Sequence, residues 1–234
     1  MAPNSRSRYS DPAAGAANDL LGLLQASGIT VAGTSGVGTA SPDAPVITSV
    51  QSAPLSAVIA EMLTNSDNNT AELLLKELGV HAGTGGSRQS GADFVVATLA
   101  ARGIDISKLV IRDGSGLDSS NVVTCGTVMQ ILEHEALTNP IGAGLPIAGQ
   151  SGTLTDEFSG TDMVGRMHAK TGSLRNSKAL SGYVTTSLGE IEFSLILDFP
   201  NADDLTRFRP IWSALATAFA TYPAGPAATL LQPL

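Results

Sequence analysis

The sequence predicts a mixed α/β fold of the α+β kind, in which an antiparallel sheet is flanked by helices. Three observations support this prediction. Apolar residues recur at helical spacing through much of the first two thirds of the chain, whereas 162–199 changes to the alternating pattern of strands. An amphipathic stretch, 203–221, then follows the strands and is suited to cover one face of their sheet.

The beginning of the chain predicts little regular structure. Residues 1–17 are small, polar and Pro-bearing, so we expect a flexible lead-in. A short helix is predicted over 18–28, followed by a strand at 29–33 and a loop at 34–45. The start has no apolar stretch long enough for a signal peptide, and no segment approaches 18 uncharged apolar residues. The sequence therefore predicts neither an export signal nor a transmembrane segment.

Helical periodicity dominates the middle of the chain. Four helices are predicted, at 54–63, 71–79, 88–102 and 124–137. A polar cluster, 65–69, interrupts the apolar pattern between the first two, and Asn69 followed by Glu72 is typical of a capping box. The segment 109–118 is predicted as a strand leading into a Gly-rich turn.

Three strand candidates follow. They are "DMVGRMHAKTG" (162–172), "ALSGYVTT" (179–186) and the alternating segment 191–199, with a turn at 187–190. Because the connections are short, the three segments predict an antiparallel meander.

Composition excludes several classes of function. The net charge is −8, from 13 Lys and Arg against 21 Asp and Glu, so the chain lacks the basic field with which proteins attract nucleic acid. A single cysteine excludes an internal disulfide and a cysteine-based metal site. No His, Asp or Glu spacing suggests a metal, and no cofactor is predicted.

Two polar motifs lie at positions that suit catalytic or substrate-binding side chains. Ser66-Asp67-Asn68 lies in the junction between two helices, and Lys170-Thr171-Gly172-Ser173 lies at the end of the first meander strand. Each alone has an ordinary structural explanation, as a helix cap or as an exposed cation before a turn. Both tripeptides in this order are expected by chance in on the order of one chain in a thousand of this size.

These motifs match two of the three signatures of the serine penicillin-recognising enzymes. With the surrounding phrases "SAPLSAVIAEMLTNSDNNTAELLLKELG", "IRDGSGLD", "GQSGTL" and "AKTGSL", the chain resembles the low-molecular-mass class C penicillin-binding proteins, the D-alanyl-D-alanine carboxypeptidase/endopeptidase family. The resemblance runs from about Tyr9 to the C-terminus and corresponds to the C-terminal half of such a protein. It implies a serine β-lactamase/D,D-peptidase-like fold over 18–234 and an extracytoplasmic or periplasmic location.

The resemblance assigns the K-T-G strand to substrate binding. Lys170 would provide positive potential for the carboxylate of a peptidoglycan stem peptide or β-lactam and assist proton transfer. Thr171 and Ser173 would offer hydroxyls to that carboxylate, and the Ser173 backbone N–H would be an oxyanion donor. Gly172 would allow the substrate backbone to approach the strand.

The resemblance also assigns roles to the S-D-N motif. Ser66 would pass a proton to the leaving amine, and Asn68 would bind the substrate amide and hold the lysine of the nucleophile motif. Asp67 would point away and brace the loop. Ser66, Asn68 and Lys170 are thus the predicted catalytic residues.

The third signature, S-x-x-K, does not occur in the 234 residues. The nucleophile, its base and the early strands of the family's sheet would then lie upstream, so whether this chain is itself an enzyme stays open. A non-catalytic relative that binds peptidoglycan peptides or a partner chain is an alternative. A class A β-lactamase ranks last, because it needs a deacylating glutamate and none lies between Glu77 and Glu133.

Overall fold

A computed structural model describes residues 9–224, in two units that divide after Gln51. In the first unit, α1 spans Pro12–Ala26. Asp11 caps this helix by accepting hydrogen bonds from the Ala13 and Ala14 N–H groups, and Pro12 is pre-organised for its first turn.

Two predictions for this unit were wrong. The helix begins six residues before the expected start at 18, because Asp11 and Pro12 form an N-terminal signal that the prediction overlooked. Residues 29–33 form no strand, since no partner strand pairs with them among the described residues. The expected lead-in, 1–17, falls partly on residues 1–8, which lie outside the described residues.

The second unit contains the remaining helices. They are α2 (Leu55–Asn65), α3 (Asn68–His81), α4 (Arg88–Ala101), α5 (Cys125–His134), α6 (Pro140–Gly144) and α7 (Leu205–Thr221), with a 3₁₀ turn at Gly152–Leu154. The predicted helices correspond to α2, α3, α4, α5 and α7. Helix α6 and the 3₁₀ turn were not predicted, because such short elements show no apolar period. No helix within 9–224 has the length and apolarity needed to cross a membrane.

The meander is confirmed. Strands β1 (Met167–Leu174), β2 (Ser177–Thr186) and β3 (Gly189–Asp198) form an antiparallel sheet in the order β1-β2-β3. In the centre of β2, Gly182 allows close approach of β1, since a Cβ there would lie 2.1 Å from the His168 carbonyl oxygen. The register places Lys178 of β2 opposite Ser173 of β1.

Helix α7 covers one face of this sheet, as predicted. Its buried residues Phe208, Trp212 and Ala216 join a hydrophobic core with residues of the three strands and of the preceding loop, namely Ala148, Leu154, Met163, Met167, Ala169, Leu180, Val184 and Phe193. Tyr183 packs in a second cluster with Leu132 and Leu145. Its hydroxyl donates to the Leu132 carbonyl at 3.0 Å, and burial raises the pKa of Tyr183 to about 12.

The predicted strand at 109–118 is reduced to one β-bridge, between Val110 and Val122. The following turn is instead held by the Asp113 carboxylate, which accepts hydrogen bonds from the N–H groups of Gly116 and Asp118 and from the Asn121 amide. Side-chain bonds of this kind compete with a backbone ladder, which explains why the strand does not extend.

Candidate active site

Ser66 occupies the bend between α2 and α3. It is the residue after α2 and has left-handed backbone angles, φ 55° and ψ 49°, which are uncommon for a residue other than glycine. Asp67 then caps α3 by accepting hydrogen bonds from the N–H groups of Asn69 and Thr70 and from the Thr70 hydroxyl. Asn68 follows as the first residue of α3 and is half-buried.

The expected capping box of Asn69 and Glu72 is therefore wrong. Asp67 reaches the first-turn N–H groups two residues earlier, and Glu72 bonds elsewhere. One Glu72 oxygen accepts from the Ser115 hydroxyl at 2.7 Å and from its N–H at 3.2 Å, and the other accepts from Arg88 Nε at 2.6 Å. Glu72 thus ties α3 to α4 and to the turn at 113–116, which fixes the helix that begins at Asn68.

Lys170 joins the two motifs. Its Nζ donates to Ser66 Oγ at 2.7 Å across 104 residues of sequence, and to the Thr171 carbonyl oxygen at 2.8 Å. Because burial disfavours the charged ammonium, the pKa of Lys170 is lowered from its ordinary value. A partly desolvated lysine that donates to a hydroxyl is suited to transfer a proton through that hydroxyl.

Thr153 is a site residue that sequence reasoning missed. The Thr171 hydroxyl donates to Thr153 Oγ1 at 2.9 Å, and this bond sets the orientation of the Thr171 side chain. Thr153 lies in the phrase "GQSGTL", which carried the resemblance but was given no role. Gly-Thr in that phrase is the only signal that could have found it.

The same helix end positions Ser66 and Thr153. Gly152 has a positive φ of 59° and packs so closely on the last turn of α2 that a Cβ would lie 2.1 Å from the Thr64 carbonyl oxygen. The Thr64 hydroxyl donates to the Gly144 carbonyl at 2.8 Å, which fastens α2 to the end of α6. The hydroxyls of the S-D-N loop and of the 3₁₀ turn therefore share one rigid support.

The outer edge of β1 is open where the K-T-G motif begins. Residues 146–148 pair with the start of the strand, through Ala169 N–H to the Pro146 carbonyl and Ala148 N–H to the Met167 carbonyl, both at 2.9 Å. Beyond Ala169 no strand within 9–224 pairs with this edge. An extended peptide could therefore add to it by backbone hydrogen bonds.

Gly172 and Ser173 complete the open segment. A Cβ at Gly172 would contact a single residue, Ala179, at 3.3 Å from its Cβ and 4.0 Å from its backbone nitrogen, so the fold itself demands little of this glycine. Ser173 is exposed, and its Oγ accepts from Lys178 Nζ at 3.4 Å. Within the described residues, no group of three or more His, Cys, Asp or Glu side chains could hold a metal ion.

An antiparallel sheet with an S-D-N loop against a K-T-G strand defines the class of penicillin-binding, β-lactamase-like proteins. The sequence profile of the D-Ala-D-Ala carboxypeptidase 3 (S13) family matches residues 3–218, and the chain belongs to this family. The resemblance stated from the motifs is thereby confirmed.

Named relatives agree with this membership. The chain is 36% identical over 197 residues to a D-alanyl-D-alanine carboxypeptidase of Actinomadura sp., covering 80% of this chain and 37% of the relative. It is 36% identical over 160 residues to carboxypeptidase DacB of Mycolicibacterium smegmatis, covering 64% and 35%. The crystal structure of penicillin-binding protein 4 from Haemophilus influenzae, complexed with a β-lactam, is similar with a TM-score of 0.69 at 25% identity. That match covers 86% of this chain and 50% of the solved one.

The chain thus spans about a third to a half of the length of these relatives. Their names describe whole proteins, whereas this chain corresponds to one part of their length.

Proposed function

We propose that the chain forms the substrate-recognition and proton-transfer part of a D-Ala-D-Ala carboxypeptidase/endopeptidase that acts on peptidoglycan stem peptides. The observation that supports this most strongly is the 2.7 Å hydrogen bond from Lys170 Nζ to Ser66 Oγ. It brings together the two motifs that the reaction needs, although they lie on a helix junction and on a strand far apart in sequence.

In this proposal the stem peptide lies along the open edge of β1. Its terminal carboxylate receives positive potential from Lys170 and a hydrogen bond from the Ser173 hydroxyl. The Thr171 hydroxyl, which donates to Thr153 Oγ1 in this structure, would turn its one O–H to the carboxylate when the peptide binds. Gly172 leaves room for the peptide backbone. These groups bind and orient the scissile amide, and they contribute mainly by fixing its position.

Proton transfer is assigned to the S-D-N side. Ser66 accepts a hydrogen bond from Lys170, so its own O–H is free to donate to the nitrogen of the leaving D-alanine. Asn68 offers an amide that can both donate to and accept from the substrate's peptide group. The nearby ammonium of Lys170 then restores the proton to Ser66.

The nucleophile is proposed to come from a segment outside these 234 residues, which contain no S-x-x-K. That segment would also supply strands for β3, whose outer edge has no strand partner among residues 9–224. Peptidoglycan lies outside the cytoplasm, so the proposed place of action is extracytoplasmic or periplasmic.

Penicillin G tests this assignment. We expect the purified chain to bind it reversibly, as followed by ¹H–¹⁵N NMR, and intact-mass spectrometry to show no covalent adduct. Lys170→Met should abolish binding, whereas Lys76→Met, which removes a lysine from α3, should not. An adduct would place a nucleophile within the chain, and an absence of binding would refute the recognition role.

A second candidate, favoured by the absence of S-x-x-K, is a non-catalytic relative that binds peptidoglycan peptides or a partner chain. The sequence encoded upstream of Met1 distinguishes these two candidate functions. An S-x-x-K on an amphipathic helix there would support the enzyme, whereas its absence would support the binding protein.

A further inference from the structure

A second lysine lies beside the K-T-G segment, on the neighbouring strand. Lys178 of β2 is the register partner of Ser173, and its Nζ donates to Ser173 Oγ at 3.4 Å. Lys178 lies outside both motifs and has no part in the function proposed above for Lys170 and Ser66.

The ammonium of Lys178 is held from below by two aromatic rings of α7. Its Nζ lies 4.3 Å from the ring centre of Phe208 and 5.1 Å from that of Trp212, and both rings are almost fully buried. Such cation–π contacts stabilise the charge and limit the positions that the side chain can take. Lys178 therefore presents its charge at a fixed place rather than as a mobile surface group.

That charge is not bonded directly to a carboxylate among the described residues. Lys178 makes no ion pair with a carboxylate anywhere in 9–224. Burial lowers the pKa of Lys178, Glu157 and Asp203 oppose that shift from a distance, and Arg209 adds to it. A half-buried cation without a paired anion, next to an exposed hydroxyl, is an arrangement that an incoming carboxylate would stabilise.

The two lysines differ in what they contact. Lys170 donates one hydrogen bond to Ser66, on the proton-transfer side, and another to the Thr171 carbonyl oxygen of its own strand. Lys178 contacts Ser173, on the carboxylate side of the proposed site. Because a hydroxyl has one proton, an N–H donated to the Ser173 oxygen leaves that single O–H to donate outward.

We propose that Lys178 is a positioning residue that orients the Ser173 hydroxyl toward the terminal carboxylate of the substrate. It also adds a second positive charge, which favours a substrate with a free C-terminal carboxylate over one with a C-terminal amide. This deepens the proposed function and rests on it. Lys170 can then donate to Ser66 while it contributes positive potential to a carboxylate that is bound between Thr171 and Ser173.

The test compares two probes, N-acetyl-D-Ala-D-Ala and its C-terminal amide, in ¹H–¹⁵N NMR titrations of the full chain. Lys178→Met keeps a long apolar side chain that packs on aromatic rings, so we expect it to fold. It should weaken binding of the acid on the order of tenfold, as expected for a lost charge a few ångströms from the carboxylate. Binding of the amide should be unchanged.

Two further variants separate orientation from folding. Lys178→Arg retains a donor and a cation that stacks on aromatic rings, so it should preserve the preference for the acid. Lys108→Met removes an exposed lysine from a loop and should change neither affinity. Trp212 is the only tryptophan, so its fluorescence should respond to the acid in the wild-type chain and not in Lys178→Met.

Each outcome has a distinct meaning. Equal loss of acid and amide binding in Lys178→Met would reveal a merely structural role and overturn the proposal, as would an unchanged preference for the acid. If the wild-type chain bound neither probe, the proposed function would fail and this inference with it.

Discussion

The hydrogen bond between Lys170 and Ser66 makes a quantitative prediction about stability. Ser66→Ala removes the acceptor of a charge-assisted bond, and such bonds contribute about 1.5–3 kcal/mol, so we expect a loss of about 2 kcal/mol. Ser66→Gly removes the same bond but relieves the left-handed backbone, which costs a residue with a Cβ about 1–2 kcal/mol. The glycine variant should therefore be destabilised by only about 1 kcal/mol.

Lys170→Met supplies the matched background. Without the ammonium there is no bond to lose, so Ser66→Ala should then cost about 0 kcal/mol and Ser66→Gly should stabilise by about 1 kcal/mol. Urea unfolding of the six chains in the cycle, followed by circular dichroism, measures these differences. Equal costs of Ser66→Ala in both backgrounds would mean that the two side chains are not coupled, and the reasoning about the site's geometry would be refuted.

Three further predictions follow from single positions. Gly172→Ala should change the free energy of unfolding by less than about 1 kcal/mol and weaken peptide binding at least about tenfold. Gly182→Ala should lower the free energy of unfolding by about 3 kcal/mol, because its Cβ would overlap the backbone of β1. Since burial lowers the pKa values of both Lys170 and Lys178 below 10.5, binding of a peptide carboxylate should weaken as pH rises through those lowered pKa values, earlier than exposed lysines would allow. Burial raises the pKa of the Glu72 carboxyl, but hydrogen bonds from Ser115 and Arg88 outweigh it and lower the pKa below 4.5. Glu72→Gln should therefore cost about 1–2 kcal/mol at pH 7 and progressively less as pH falls through that lowered pKa.

These three have direct checks. Urea unfolding and peptide titration of both glycine variants test the first prediction. A loss of both stability and affinity in Gly172→Ala would contradict it. The second needs affinities between pH 7 and 10.5, and a constant affinity up to 10.5 would refute it. For the third, a loss of stability in Glu72→Gln that is the same at pH 3 and pH 7 would show that the hydrogen bonds to Glu72 do not favour its ionised form over its protonated form.

Strong periodicity made much of the fold predictable. The meander and α7 follow from alternation and from a wide apolar stripe, and the long helices follow from 3.6-residue spacing. Segment 29–33 has the composition of a strand, but no strand pairs with it among residues 9–224, and an unpaired strand is not stable. The 3₁₀ turn depends on the contact of Gly152 with Thr64, which sequence-local reasoning cannot see.

The candidate site was predictable only where a motif marked it. Two short motifs that occur together mark Ser66, Asn68 and the K-T-G-S residues as candidates, and the structure places Ser66 and Lys170 in contact. Thr153 comes to this site because its loop contacts Thr171, and Lys178 because the strand register pairs it with Ser173. Lys178 has no local sequence signature, and the phrase "GQSGTL" marks Thr153 without giving its contact with Thr171. The structure is therefore needed to bring both residues to the site.

Recognition of D-Ala-D-Ala is the central claim, and a stereospecific titration tests it most directly. The chain would be titrated with N-acetyl-D-Ala-D-Ala and with N-acetyl-L-Ala-L-Ala while the backbone amides are followed by ¹H–¹⁵N NMR. We predict saturable shifts that centre on Thr171, Gly172, Ser173 and Asn68 for the D,D peptide, with binding at least about tenfold weaker for the L,L peptide. Equal affinity for both peptides, or shifts that lie away from β1 and the S-D-N loop, would contradict it.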